Sequence, residues 1–181
     1  MKKVIAVLLS CFVLASCGSQ KKIQTTTEKI GNLTIESPVG WDKEIDDSYD
    51  LYTVYTYSKL EGDKLLADIN IYVDKDVTPD FSINDFDYLF DDNHDGIDIV
   101  FTEVNDSFLG NKPIRKGCGT WQYNYNGEKG DLYDQYVAAM YDADCRMIHV
   151  QYMFLDSLAG DGYQDYANTL FDKMTLTYDY Q

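Results

Sequence analysis

Basic residues are scarce in this chain of 181 residues: 15 Lys and Arg stand against 31 Asp and Glu, a formal charge of −16. Neutralising a phosphate backbone needs a basic surface, so nucleic acid is excluded as a partner. Histidine occurs only twice and cysteine four times. Beyond residue 17 the cysteines are Cys118 and Cys145, and neither has a histidine or second cysteine at the spacing of a zinc site. No Gly-x-Ser-x-Gly elbow, His-Glu-x-x-His helix or phosphate-cradling glycine loop occurs. Carboxylates are so numerous that no pair stands out, which makes a carboxylate-based hydrolase the least favoured reading and a non-enzyme the favoured one.

A bilayer span is also missing from the N-terminal apolar run. Val4 to Ala15, interrupted by Ser10, falls short of the roughly 20 apolar residues a span requires. It has the length of a signal-peptide core, and Lys2 and Lys3 supply the positive region before it. Ala15 and Ser16 are small enough for a narrow protease cleft, and the Cys17 thiol is a nucleophile. Leu14-Ala15-Ser16-Cys17 resembles the lipobox of bacterial lipoproteins at all four positions. That resemblance implies cleavage between Ser16 and Cys17, a diacylglyceryl and palmitate-type anchor on Cys17, and a place on the extracytoplasmic side of the cell membrane. An ordinary secretory signal with a chance cysteine is the alternative.

Residues 1–16 are thus read as signal peptide, 17–28 as lipidated cysteine and tether, and 29–181 as one domain. Losing residues 1–16 takes the bases from 15 to 13 and leaves the 31 acids, a charge of −18. Such a domain does not dock on anionic lipid by itself, so the acyl chains must hold it, and solubility suffices to explain the charge. The polar stretch 18–28 has a reach of roughly 18 Å as a flexible coil. Cys118 and Cys145 are expected as free thiols, on two strands separated by a third and so nearly 10 Å apart, beyond disulfide reach.

Strand patterns dominate the domain. Leu33 to Glu36 alternates and is stopped by Pro38 and Gly40. Leu51 to Tyr57 is rich in Tyr, Val and Thr, and Ala67 to Val73 sets Ala67, Ile69, Ile71 and Val73 against Asp68, Asn70 and Tyr72. Four runs follow, Ile99 to Leu109, Ile114 to Tyr125, Leu132 to Tyr141 and Arg146 to Leu155, joined by turn residues as in an antiparallel meander. Two segments carry helical spacing instead. Ser82 with Asp85 reads as an N-cap before Ile83, Phe86, Leu89 and Phe90, and Tyr163, Tyr166, Ala167, Leu170 and Met174 form one stripe. The fold class is α+β, an antiparallel sheet of about six to seven strands with helices packed against it.

Leu33-Thr34-Ile35-Glu36-Ser37-Pro38-Val39-Gly40-Trp41, followed by antiparallel strands and a final Tyr166-Ala167-x-x-Leu170-Phe171 helix, resembles the PsbP-like fold found in many small bacterial lipoproteins. The resemblance covers nearly all of residues 30–180. It implies an accessory, binding or scaffold subunit, brings no catalytic constellation, and does not carry a photosynthetic role.

Two patterns could hold a ligand. Asp91, Asn93, Asp95 and Gly96 match positions 1, 3, 5 and 6 of a calcium loop, but position 12 is Thr102 where a bidentate Glu belongs. An acidic, glycine-stopped helix end explains the same residues. Trp121, Tyr123 and Tyr125, among 16 tyrosines and two tryptophans, share one strand face that could receive a glycan. Tyrosine is also a favoured strand residue, so sheet packing explains them too. His149 alternates opposite Ile148 and Val150 and is expected on the solvent face. The leading expectation is a membrane-anchored, non-catalytic lipoprotein that binds an unknown envelope protein or glycan. A calcium-dependent or peptidoglycan-binding module is the alternative.

Overall fold

The computed structural model describes residues 22–78, 80–91, 93–94, 96–109 and 112–177, with the backbone alone at 93 and 94. Cys17 and the signal segment lie outside the described residues. Eleven strands are present among those described: β1 (Thr25–Ile30), β2 (Leu33–Pro38), β3 (Asp42–Asp46), β4 (Tyr52–Glu61), β5 (Lys64–Asp74), β6 (Asn93–His94), β7 (Ile97–Leu109), β8 (Lys112–Tyr125), β9 (Glu128–Tyr141), β10 (Met147–Leu155) and β11 (Thr175–Leu176). They form an eight-stranded antiparallel sheet in the order β3-β4-β5-β10-β9-β8-β7-β6 and a three-stranded one in the order β1-β2-β11. A 3-10 helix, Ile83–Phe90, and an α-helix, α1 (Tyr163–Lys173), complete the α+β arrangement with a second short 3-10 helix, Asp156–Asp161.

The large sheet has two unlike faces. On one, Ala67, Ile69 and Ile71 of β5 and Ile148, Val150, Tyr152 and Phe154 of β10 are buried beneath the small sheet and α1. Helix α1 buries Tyr166, Ala167 and Leu170 of the stripe that helical spacing marks, together with Phe171. Each such large apolar side chain contributes about 1.5–3 kcal/mol when buried. Trp41, just past the glycine that turns the chain after β2, packs its ring within 6.1–6.4 Å of Tyr152, Tyr163 and Tyr166. Tyr166 fixes this corner further by donating its hydroxyl to the Glu36 carbonyl at 2.8 Å.

Two expectations need correction, and two further features leave no mark in the sequence. Thr25 to Glu28, read as tether, belong to β1, which pairs with β2 from Thr25↔Pro38 to Ile30↔Leu33. Their polarity concealed them: the Thr25 and Thr27 hydroxyls donate to the Glu36 carboxylate at 2.8 and 2.9 Å on the outer side of the small sheet, while Ile30 alone of the strand is buried. Strand β3 was equally silent, because Asp42–Asp46 is a mostly exposed edge. Cys145 sits in the β9–β10 turn, at φ 62°, rather than on a strand; both it and Cys118 are free thiols. The second face of β5, finally, is not open to solvent, for Asp68 is 8 % exposed. No helix among the described residues is long and apolar enough to cross a membrane.

Candidate functional site

The second face of the large sheet is only partly covered, and the uncovered part forms a cleft. Its floor is Gln135 and Val137 of β9 with His149 and Gln151 of β10; one wall is Tyr88 and Leu89 of the 3-10 helix and the other Ile97, Ile99 and Phe101 of β7. The recess measures about 270 Å³.

Sequence places each wall. Ser82 starts the 3-10 helix with a reciprocal cap: its Oγ accepts from the Asn84 amide at 3.3 Å, and the Asp85 carboxylate accepts from the Ser82 amide at 2.7 Å. Phe86, wholly buried, then stacks on Tyr141 of β9 with centroids 5.1 Å apart, and Tyr141 donates its hydroxyl to Asp85 at 2.9 Å. Arg115 of β8 ties this helix to the opposite wall. Its guanidinium holds Asp106 of β7 through two bonds of 2.6 and 3.1 Å, pairs with Asp87 of the helix, and lies over the Phe90 ring. Those bonds hold the Asp106 carboxyl below the usual range.

The far wall depends on two glycines. In register, Gly117 and Gly119 of β8 stand between the floor positions Val137 and Gln135 and the β7 residues Val104 and Phe101. A Cβ on Gly119 would lie 2.0 Å from the Val100 carbonyl oxygen, and one on Gly117 would lie 2.9 Å from the Phe90 ring. Without side chains at these alternate positions, β7 folds over the floor and brings its apolar residues opposite the helix. Glycine inside a strand signals such a close approach, and Gly117-x-Gly119 was the mark that strand periodicity alone passed over.

The polar groups of the floor are uncharged. Gln151 donates through Nε2 to Gln135 Oε1 at 3.4 Å, and Gln135 donates to the Thr120 carbonyl at 3.4 Å. His149, expected on a solvent face, is half-buried and stacked on Tyr72 with centroids 5.3 Å apart. Its Nε2 is buried with no hydrogen-bond partner among the described residues, a condition that costs about 1–3 kcal/mol. Burial pushes the imidazole down to about 4, so it is neutral in the physiological range. Beside the cleft Asp68 accepts from Asn70 at 2.6 Å through one oxygen while the other has no partner, and burial pushes its carboxyl up to about 6.

These two groups oppose each other in acid. The native state resists protonating His149, so that residue adds stability as pH rises from about 4 to about 6.5. The native state retains the Asp68 proton, so that residue subtracts stability as pH rises from 3.8 to about 6. An NMR titration of the His149 ring is expected to give a midpoint near 4, and Asp68→Asn to steepen the gain in stability between pH 4 and 6. A midpoint near 6.5 would show the ring to be solvated.

Asp91 follows the 3-10 helix, whereas Asp95 and the side chain of Asn93 lie outside the described residues. The backbone at Asn93–His94 pairs with Ile97–Asp98 as a hairpin, and β7 then continues as extended strand through an irregularity at Thr102. That strand carries position 12 about 20 Å from Gly96, whereas a calcium loop must bring it back. Among the described residues no three His, Cys, Asp or Glu side chains converge as a metal site. Of the aromatic trio, Trp121 is half-buried edge-on to Tyr133 at 5.7 Å, while Tyr123 and Tyr125 stack on each other, 48 % and 59 % exposed.

Comparison with known proteins places this architecture. No protein-family model matches the chain, and no curated protein does. Solved structures do match. The solution structure of cyanobacterial PsbP (CyanoP) from Synechocystis sp. PCC 6803 aligns with a TM-score of 0.60 at 10 % identity, over 91 % of this chain and 99 % of that one. LpqN of Mycobacterium tuberculosis, described as involved in cell envelope biogenesis, aligns with a TM-score of 0.50 at 19 % identity, over 86 % of this chain and 91 % of that one. At these identities the likeness concerns the fold, and the fold of residues 22–177 is PsbP-like.

Proposed function

We propose that this protein is a membrane-anchored extracytoplasmic lipoprotein acting as a non-catalytic binding or accessory subunit, with the half-covered sheet face as its recognition surface. The observation that carries the reading is the pairing of a complete lipobox, Leu14 to Cys17, with a PsbP-like domain. The similarity to LpqN, a protein involved in cell envelope biogenesis, supports an envelope setting. The cleft supports binding: it is an apolar recess with a few polar groups at its floor, the usual composition of a ligand site.

Attachment then rests on lipid, since a chain of formal charge −16 is repelled by anionic headgroups. Two acyl chains on Cys17 suffice, each buried CH₂ contributing about 0.8 kcal/mol. Fractionation of cells expressing the full-length chain tests this. The native chain is expected in the membrane fraction together with a specific cross-linked partner, and Cys17→Ala in the soluble fraction. A native chain that is soluble, or a Cys17→Ala chain that stays on the membrane, contradicts the proposal.

A further inference from the structure

Resting on that reading, the cleft can be assigned a ligand class. We infer that it binds a small, uncharged, ring-containing molecule, gripped between Tyr88 and Phe101 and hydrogen-bonded at its floor by Gln151.

Three observations lead there. In a chain of which 25 % is charged, none of the residues lining this recess carries a charge near neutral pH. Bringing an ion into it would remove that ion's hydration with no opposite charge in the lining to replace it, the Asp68 carboxylate lying beside the recess and not in it, so charged ligands are disfavoured. The two walls, second, are aromatic and aliphatic and face each other across the floor, Tyr88 and Leu89 against Ile99 and Phe101. Such walls favour a flat ring over a branched or heavily hydroxylated one. At about 270 Å³, third, the recess exceeds the roughly 150 Å³ dry cavity that admits benzene. It accommodates two fused rings or one ring with a short substituent.

Gln151 gives the orientation. Its Nε2 is engaged by Gln135, at 3.4 Å, which leaves its own carbonyl oxygen to accept from an N–H or O–H on the ligand. The neutral His149 ring lies on the same floor. The ligand is therefore a neutral ring with a donor edge.

Indole, indole-3-acetate and tryptamine probe this directly, because they share a ring system and differ in charge. Titrated calorimetrically into the purified full-length chain in detergent, indole is expected to bind at least tenfold more tightly than either charged relative. In NMR it should shift the Gln151 side-chain amide and the His149 ring. Gln151→Leu keeps the volume and is expected to weaken indole about tenfold; Ile99→Trp fills the recess and abolishes binding with an unchanged circular dichroism spectrum. Equal affinity for all three probes, no heat with indole at millimolar concentration, or undiminished binding to both variants overturns the inference. Any of these with membrane attachment intact leaves the tethered-lipoprotein reading in place.

Discussion

Gly119→Ala destabilises the domain by about 3 kcal/mol or more, a fall in Tm of roughly 6–12 °C. The new methyl would stand 2.0 Å from the Val100 carbonyl oxygen and 2.8 Å from the Phe101 Cα. Both are backbone atoms, so no side-chain rotation relieves the clash, and β7 must lift away from β8. Pairing is already irregular there, with a register shift between Phe101 and Glu103, and a displaced strand would carry Phe101 and Ile99 out of the cleft wall. Thermal unfolding followed by circular dichroism checks the magnitude. A stability within about 0.5 kcal/mol of the native chain would mean that β7 and β8 do not approach as described.

Phe86→Ala costs a further kind of stability, confined to one wall. Phe86 is wholly buried and lies against Tyr141 beside Ala139, Leu89 and Phe90, in a cluster separate from the main core. Removing a buried phenylalanine ring costs about 3–5 kcal/mol. A capped 3-10 helix of eight residues has little stability of its own to set against that loss. The helix should therefore leave the sheet while β5, β9 and β10 remain packed under the small sheet and α1. Hydrogen exchange is the suitable measurement: amides of residues 83–90 lose protection and those of Ile71, Val150 and Met140 keep theirs. Loss of protection across the whole sheet would show that the second cluster and the main core unfold as one unit.

The contrast between these two sites also explains what the sequence made legible. Alternation exposed β5 and β10 because one face of each meets the main core and reads as Ala67-Ile69-Ile71 or Ile148-Val150-Tyr152-Phe154, and turn residues set off β8 and β9. Ser82 and Asp85 announced their helix because capping chemistry is local. Strands β1 and β3 left no such trace, since Thr25–Ile30 buries one side chain fully and Asp42–Asp46 none. The cleft escaped for a different reason. Its floor is the side of the sheet that alternation marks as polar, and only the curl permitted by Gly117 and Gly119 turns Gln135, His149 and Gln151 inward. A periodic pattern assigns a residue to a face but does not say what later folds over that face.

The same limit applies to the acidic loop. Asp91, Asn93, Asp95 and Gly96 have the spacing of a metal loop, but spacing is informative only when the chain returns at position 12. Here the segment after Gly96 is a strand of thirteen residues, Ile97–Leu109. Extended backbone serves the sheet and the cleft wall, and Thr102 spends its hydroxyl on the Cys118 carbonyl at 3.1 Å.

The account depends most on the proposed lipidation of Cys17, which would fix where the domain works and so which ligands can reach its cleft. Intact-mass spectrometry of the native chain, extracted from membranes in detergent, tests it most directly. The predicted species lacks residues 1–16 and begins at a Cys17 carrying a diacylglyceryl group. A chain that retains those residues, or one that begins elsewhere with an unmodified Cys17, contradicts the account.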